Sequence, residues 1–188
     1  MVETHEVVVK EAEASDIPGV IACMQANLVD IMDNDKQGRL FYHIPSWEFM
    51  ECLDNPNNIF ICAKKWNKVL WYVLTYDLKL RMQKNPTRID DIQVVPDMRE
   101  KLKNEKILYG HQVATHPDHR NNGISKTLEM KTYVESVRQW YTYTIAEIMK
   151  EPRENTNSMI VHQKVGFEKI WEINYPNGTT RNIMGRSL

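Results

Sequence analysis

The sequence predicts an α/β fold, a mixed sheet covered by helices. Short β-branched and aromatic runs alternate with segments of helical period, in the order β-α-α-β-β-β-α-β-α-β-β. The 188 residues, 42% hydrophobic and 26% charged, have the length and composition of one globular domain, residues 1–188. A chain of this size buries roughly 70% of the surface it exposes when unfolded, so it needs no staples.

Residues 6–10 are Val-rich and read as a strand. Ser15-Asp16-Ile17-Pro18 supplies an N-cap and an early proline for a helix. Its apolar positions Val20, Ile21, Met24, Leu28 and Ile31 recur at near-helical spacing, and polar residues 33–38 break it. A second helix is expected at 46–53, stopped by Asn55-Pro56. Residues 58–66 and 69–78 are strands joined by a tight turn at Asn67-Lys68. Trp66, Trp71, Tyr72 and Tyr76 belong to this hairpin, as packing residues or as the wall of an acceptor pocket.

Residues 81–103 are charged, contain Pro86 and Pro96, and keep no lasting period. An insertion of that length is often functional. Residues 107–115 form a strand closed by Pro117. The helix expected over 123–139 puts Met130, Tyr133, Val134, Val137 and Tyr141 on one face and Ile124 and Leu128 elsewhere, so it is covered on two sides or bent. Strand 141–149, helix 155–165, strand 167–173, a turn at Tyr175-Pro176-Asn177-Gly178 and strand 180–184 complete the chain.

With 24 Lys+Arg against 25 Asp+Glu, the net charge of -1 favours neither duplex nucleic acid nor an anionic membrane as a partner. No run approaches the ~18 apolar residues of a membrane-spanning helix. The first ten residues are too short of apolar length for a signal peptide. Cys23, Cys52 and Cys62 form no CxxC pair and are odd in number, which fits buried free thiols in a reducing compartment, the cytoplasm. The histidines match no compact metal motif, and GxSxG is absent.

Chemistry concentrates in residues 111–125, where a strand enters a polar turn and then a helix. Helix N-termini carry unpaired N–H groups and the positive end of the macrodipole, so they bind phosphate. Gly123 lets the backbone approach an anion and Arg120 adds a permanent charge, although an ordinary strand-to-helix turn has the same outline.

Arg120-x-x-Gly123-x-Ser125, with Thr115-His116-Pro117 in front, resembles the pyrophosphate loop Q/R-x-x-G-x-G/A of the GNAT superfamily of N-acetyltransferases. Ser125 stands at the third small position and Thr115 at a usual Val. A second family pattern follows in Asn155-Thr156-Asn157-Ser158, then His162, then Gly166-Phe167. The resemblance implies a mixed, mostly antiparallel sheet with splayed central parallel strands and flanking helices, the GNAT acyl-CoA N-acyltransferase fold. It covers nearly the whole chain.

It further implies an acetyl-CoA-dependent N-acetyltransferase acting directly on a primary amine in a ternary complex. A small amine is favoured over a protein, and a second copy of the chain is admitted as a partner. The strand backbone at Val113 and Thr115 would pair with pantetheine, and Asn121, Asn122, Gly123, Ile124 and Ser125, helped by Arg120, would hold the pyrophosphate. Asn155 and Ser158 would touch the cofactor, or Asn155 would cap its helix. His162 takes the position where many relatives place a tyrosine acid; it is a general acid or a structural helix histidine. Strand alternation puts His111 on one face with Val113 and Thr115, lining the cleft with Tyr109 as a base or packing as a core histidine. His116 and His119 are expected in solvent. Two readings compete with the enzyme: a non-catalytic acyl-CoA-binding regulatory module on the same scaffold, and an unrelated α/β fold with no splay between the strands of Val113 and Ile145.

Overall fold

The computed structural model describes residues 7–28, 40, 43–84, 98–120, 122–152 and 154–188. Its strands are β1 (Val8–Glu11), β2 (Ile59–Lys65), β3 (Lys68–Asp77), β4 (Ile107–Thr115), β5 (Tyr143–Glu151), β6 (Glu168–Asn174) and β7 (Thr180–Ser187). The helices are α1 (Ile17–Gln25), α2 (Ser46–Leu53), α3 (Leu78–Lys84), α4 (Met98–Asn104), α5 (Ile124–Arg138) and α6 (Thr156–Lys164). The strands form one sheet in the order β1-β2-β3-β4-β5-β7-β6, antiparallel except at the central β4–β5 pair. The expected order of elements holds, with two short helices added.

The β2–β3 hairpin builds the centre. Both strands are apolar on both faces because helices cover both. On one side Val20 and Met24 of α1 and Phe49 of α2 pack with Phe60, Tyr72 and Leu74. On the other, Leu128 of α5 meets Ile59, Ile61, Leu70, Trp71 and Val73. Near α6, Met159 and Val165 pack on Ala146, Ile148, Phe167 and Met184. The three thiols are free and buried, and burial pushes each up to about 12, so none is a nucleophile at neutral pH. No helix among the described residues is long and apolar enough to cross a membrane.

Four expectations change. Helix α1 stops at Gln25, short of Leu28, which forms an isolated bridge with Leu40. The hairpin turn is Trp66-Asn67, one residue early, with Trp66 at φ 55. The charged stretch 81–103 begins and ends in α3 and α4; residues 85–97, like the expected break at 33–38, lie outside the described residues.

Helix α5 was expected to be covered on two sides or bent, and it is covered on the Leu128 side while the other apolar side is left open. Met130, Val134 and Val137 are exposed, and Thr132, Glu135 and Ser136 are buried beside Leu128. The polar underside supplies its own partners: Thr132 donates to the Leu128 carbonyl at 2.9 Å and Ser136 to the Thr132 carbonyl at 2.6 Å. Glu135 takes Lys131 at 2.8 Å and Arg138 at 3.2 Å. A helix that satisfies its own polar groups buries them at little cost.

Gly185 on β7 shows how closely β5 and β7 pack. A Cβ there would stand 2.9 Å from Tyr143 Cζ and 3.1 Å from Ile170 Cδ1. Gly185→Ala is expected to cost about 1–3 kcal/mol, the usual range for overpacking, read as a lower urea midpoint at unchanged slope.

Candidate active site

Strands β4 and β5 pair only from Ile107↔Tyr143 to Gly110↔Ala146. Beyond that point β4 stays with β3 as far as Thr115, and β5 stays with β7 as far as Glu151. Each strand is held by its outer neighbour, so the two separate and their facing edges have no strand partner among the described residues. A cavity of about 120 Å³ sits at this apex, lined by Tyr109, His111, Val113, Glu147, His162 and Arg181 among others. A second, of about 350 Å³, continues between the end of β4, α5 and α6, bordered by Thr115, Arg120, Ser125, Glu129, Asn155 and Ser158.

The β3–β4 register shifts at the apex: Leu74 pairs with Gln112 and Thr75 with Gly110, leaving His111 as the extra residue of a β-bulge. A bulge reverses the alternation behind it. Tyr109 and Ala114, five residues apart, therefore share the face packed by α1 and α2. The expectation that His111 shares a face with Val113 and Thr115 fails here. Instead His111 lies against Tyr76 and Tyr109, with ring centroids at 4.9 and 6.0 Å. Its Nε2 is 3.5 Å from Glu48 Oε1. Glu48 also pairs with Arg81 at 3.0 Å and accepts from Tyr76 at 3.3 Å. His111 and Tyr109 do both line the apex cavity, as expected.

Across the cleft stands Glu147, which the sequence reading missed. Its Oε1 accepts from Tyr109 at 3.0 Å, and its Oε2 accepts from Tyr175 at 3.1 Å and Arg181 at 2.8 Å. Its side chain is 3% exposed. The signal was present: a lone carboxylate inside the apolar run Ile145-Ala146-Glu147-Ile148-Met149 needs buried partners or a function.

On the turn after β4, Gly123 has φ 73, and nothing lies within 4 Å of where a Cβ would be. Asn122 and Gly123 are exposed, α5 starts at Ile124, and Ser125 is half-buried at the groove. Asn121 lies outside the described residues. Arg120 donates to Asn27 Oδ1 at 2.7 Å, and Asn27 donates to the Cys23 carbonyl at 2.8 Å, so the end of α1 holds the guanidinium at the groove. His116 and His119 are not in open solvent: both are half-buried, and His119 packs on Trp71 at 5.8 Å. Burial, helped by Lys68, holds His116 below the usual histidine range.

Asn155 caps α6, its Oδ1 accepting from the Ser158 N–H at 3.1 Å, and it also borders both cavities. Ser158 borders both as well. His162 Nδ1 lies 2.8 Å from the Ser158 carbonyl. A carbonyl only accepts, so Nδ1 carries the proton and Nε2 is the acceptor end of the neutral ring. Glu129, also missed from sequence, borders the larger cavity from α5. Burial pushes its carboxyl up, opposed by His162 and Arg186.

No family model and no curated protein matches the chain. Solved structures do. Ard1 from Thermoplasma volcanium superposes with TM-score 0.69 at 11% identity, covering 97% of this chain and 97% of that one. The acetyltransferase of GNAT family from Streptococcus pneumoniae gives 0.63 at 15%, covering 97% and 99%. This is the GNAT fold. The yncA structure from Salmonella typhimurium, solved with its cofactor acetyl-CoA, gives 0.62 at 14%, covering 97% and 94%. The splay between β4 and β5, which an unrelated α/β chain would lack, belongs to this GNAT architecture.

Proposed function

We propose that the chain is an acetyl-CoA-dependent N-acetyltransferase whose acceptor is a primary amine, a small molecule before a protein. The carrying observation is the cleft that opens where β4 leaves β5, with proton-accepting side chains on both walls. The groove suits acetyl-CoA. The open space over Gly123 and the first turn of α5 admit a phosphate, Arg120 adds charge, and the free edge of β4 at Val113 and Thr115 offers amide partners to pantetheine. Asn122, Ile124 and Ser125 belong to the same loop, and Asn121 completes it in sequence.

When bound, acetyl-CoA supplies the activated acetyl thioester. His111 accepts the proton of the incoming amine, with Glu48 orienting the ring and stabilising its charged form. Tyr109 acts through Glu147: with Arg181 and Tyr175 it fixes the carboxylate on the apex wall beside the amine's path. His162, fixed at Nδ1 by the Ser158 carbonyl, takes a proton at Nε2 from solvent and, as the imidazolium, delivers it to the departing sulfur, which leaves the ring neutral again. Asn155 and Ser158 hold that ring in place while lining the pantetheine path.

Calorimetric titration with acetyl-CoA and a thiol-release assay over an amine panel test this reading together. The expected results are saturable binding, and turnover on at least one small amine confirmed by the mass of the acetylated product. Absence of binding overturns the reading. Binding without turnover on any small amine or peptide N-terminus leaves a regulatory module in its place.

A further inference from the structure

The outward face of α5 has the composition of a buried one. Met130 is 54% exposed, Val134 and Val137 are 46% exposed, and Trp140, one turn beyond, is 83% exposed. These positions follow the i, i+4, i+7 spacing of a single helix stripe, and the first three fall within about 60° of arc. The true underside is Leu128, Thr132, Glu135 and Ser136, so the stripe is not the solvent edge of a core-facing surface.

Charge says what covers it. Lys131 and Arg138 flank the stripe on one side and Lys126 on the other, while Lys106 donates to the Gln139 carbonyl at 3.0 Å next to Trp140. Glu135, buried beneath, pairs with both Lys131 and Arg138, and Glu129 faces the groove, so a single carboxylate stands against the four cations Lys106, Lys126, Lys131 and Arg138 and the border keeps a net positive charge. The stripe is thus apolar with a basic border, and its occupant is anionic. A second copy presenting the same face would bring like charges together. The stripe is the convex flank of a helix, and neither cavity described above reaches it. A deformable surface fits that shape better than a partner that must insert side chains. An exposed indole at the end of such a stripe is suited to the boundary between headgroups and acyl chains.

We propose that the α5 face docks the protein reversibly on an anionic phospholipid surface, with Met130, Val134, Val137 and Trp140 entering the headgroup boundary and Lys126, Lys131 and Arg138 meeting the lipid charge. The overall net charge of -1 hides this, because the basic groups are gathered on one face. The docking is independent of the acetyl-transfer reading.

Co-sedimentation of the full chain with extruded phosphatidylcholine vesicles, with and without about 30% phosphatidylserine, tests it. Binding is expected only with the anionic lipid and is expected to be lost near 0.5 M NaCl, where the Debye length is only a few ångströms. Val134→Asp and Trp140→Ser each lower the partition coefficient by about tenfold or more, with the melting temperature unchanged, since both remove apolar contact with the boundary. No binding to anionic vesicles overturns the proposal, whether the protein is then a monomer or a dimer in sedimentation velocity. Binding that both variants leave intact overturns it as well.

Discussion

His111→Gln is expected to lower kcat/KM by about 10²–10⁴-fold, the range that a positioned acid or base contributes. Glutamine keeps much of the volume between Tyr76 and Tyr109 but accepts no proton at neutral pH. The Kd for acetyl-CoA is expected to stay within about threefold, because a residue acting only in the chemical step leaves ground-state binding unchanged. Calorimetry and steady-state kinetics on one preparation give both quantities, and a thermal melt shows whether the fold is intact. Glu48→Gln, which acts on the amine only through the His111 ring, has the smaller expected effect of about tenfold in kcat with the KM for the amine held, as befits a positioning residue. If His111→Gln keeps activity within tenfold of wild type, His111 is not the base. Glu147, the other buried proton acceptor on the apex wall, would then take that role.

The positions of these groups show what a sequence reveals and what it hides. Strand β4 is legible to the residue at 107–115, and α2 at 46–53, because apolar runs bounded by Pro, Asn and charged residues leave little freedom in where an element stops. The two motif segments are legible for a similar reason: Gly123 needs its positive φ and Asn155 needs its cap, and both requirements are local. The facing of His111 is not local. It depends on one extra residue in the β3–β4 register, and no pattern within β4 announces a bulge that its neighbour imposes.

The open side of α5 was hidden differently. Its apolar residues at 130, 134 and 137 form a helical stripe by composition, so periodicity puts them under cover as well as Leu128. The chain instead buries Thr132, Ser136 and Glu135, each already paired within the helix, and leaves the apolar stripe outside. Propensity and pattern rank faces by transfer cost, and a polar group with its partners in the same turn escapes that ranking. Glu147 lay between these cases. A single charge in an apolar strand is visible, but its partners Tyr109, Tyr175 and Arg181 come from three separate segments, and only the fold unites them.

Asp16→Ala is expected to cost about 3 kcal/mol in urea unfolding at pH 7, the low end of what removing one member of a buried ion pair costs. Asp16 begins α1, and its carboxylate is fully buried. It takes Lys10 at 3.0 Å and the Glu13 N–H at 3.1 Å, and it lies in direct contact with the Lys64 ammonium. The low end applies because Lys10 and Lys64 remain 30% and 21% exposed and can regain water when the carboxylate is gone. The Lys64 and Lys10 ammonium groups and the Glu13 amide together outweigh burial and hold the carboxyl down at about 2, against an ordinary 3.8. The folded-state value lies below the unfolded one, so the contribution is fully present above pH 3.8 and is lost as pH falls through 2. That linkage amounts to about 2 kcal/mol, most of the expected mutational loss. Wild type and Asp16→Ala should therefore differ most near neutrality and converge as the pH approaches 2. A variant within about 1 kcal/mol of wild type at pH 7 would show that the two lysines are satisfied by solvent, and that this cluster does not hold α1 against the sheet.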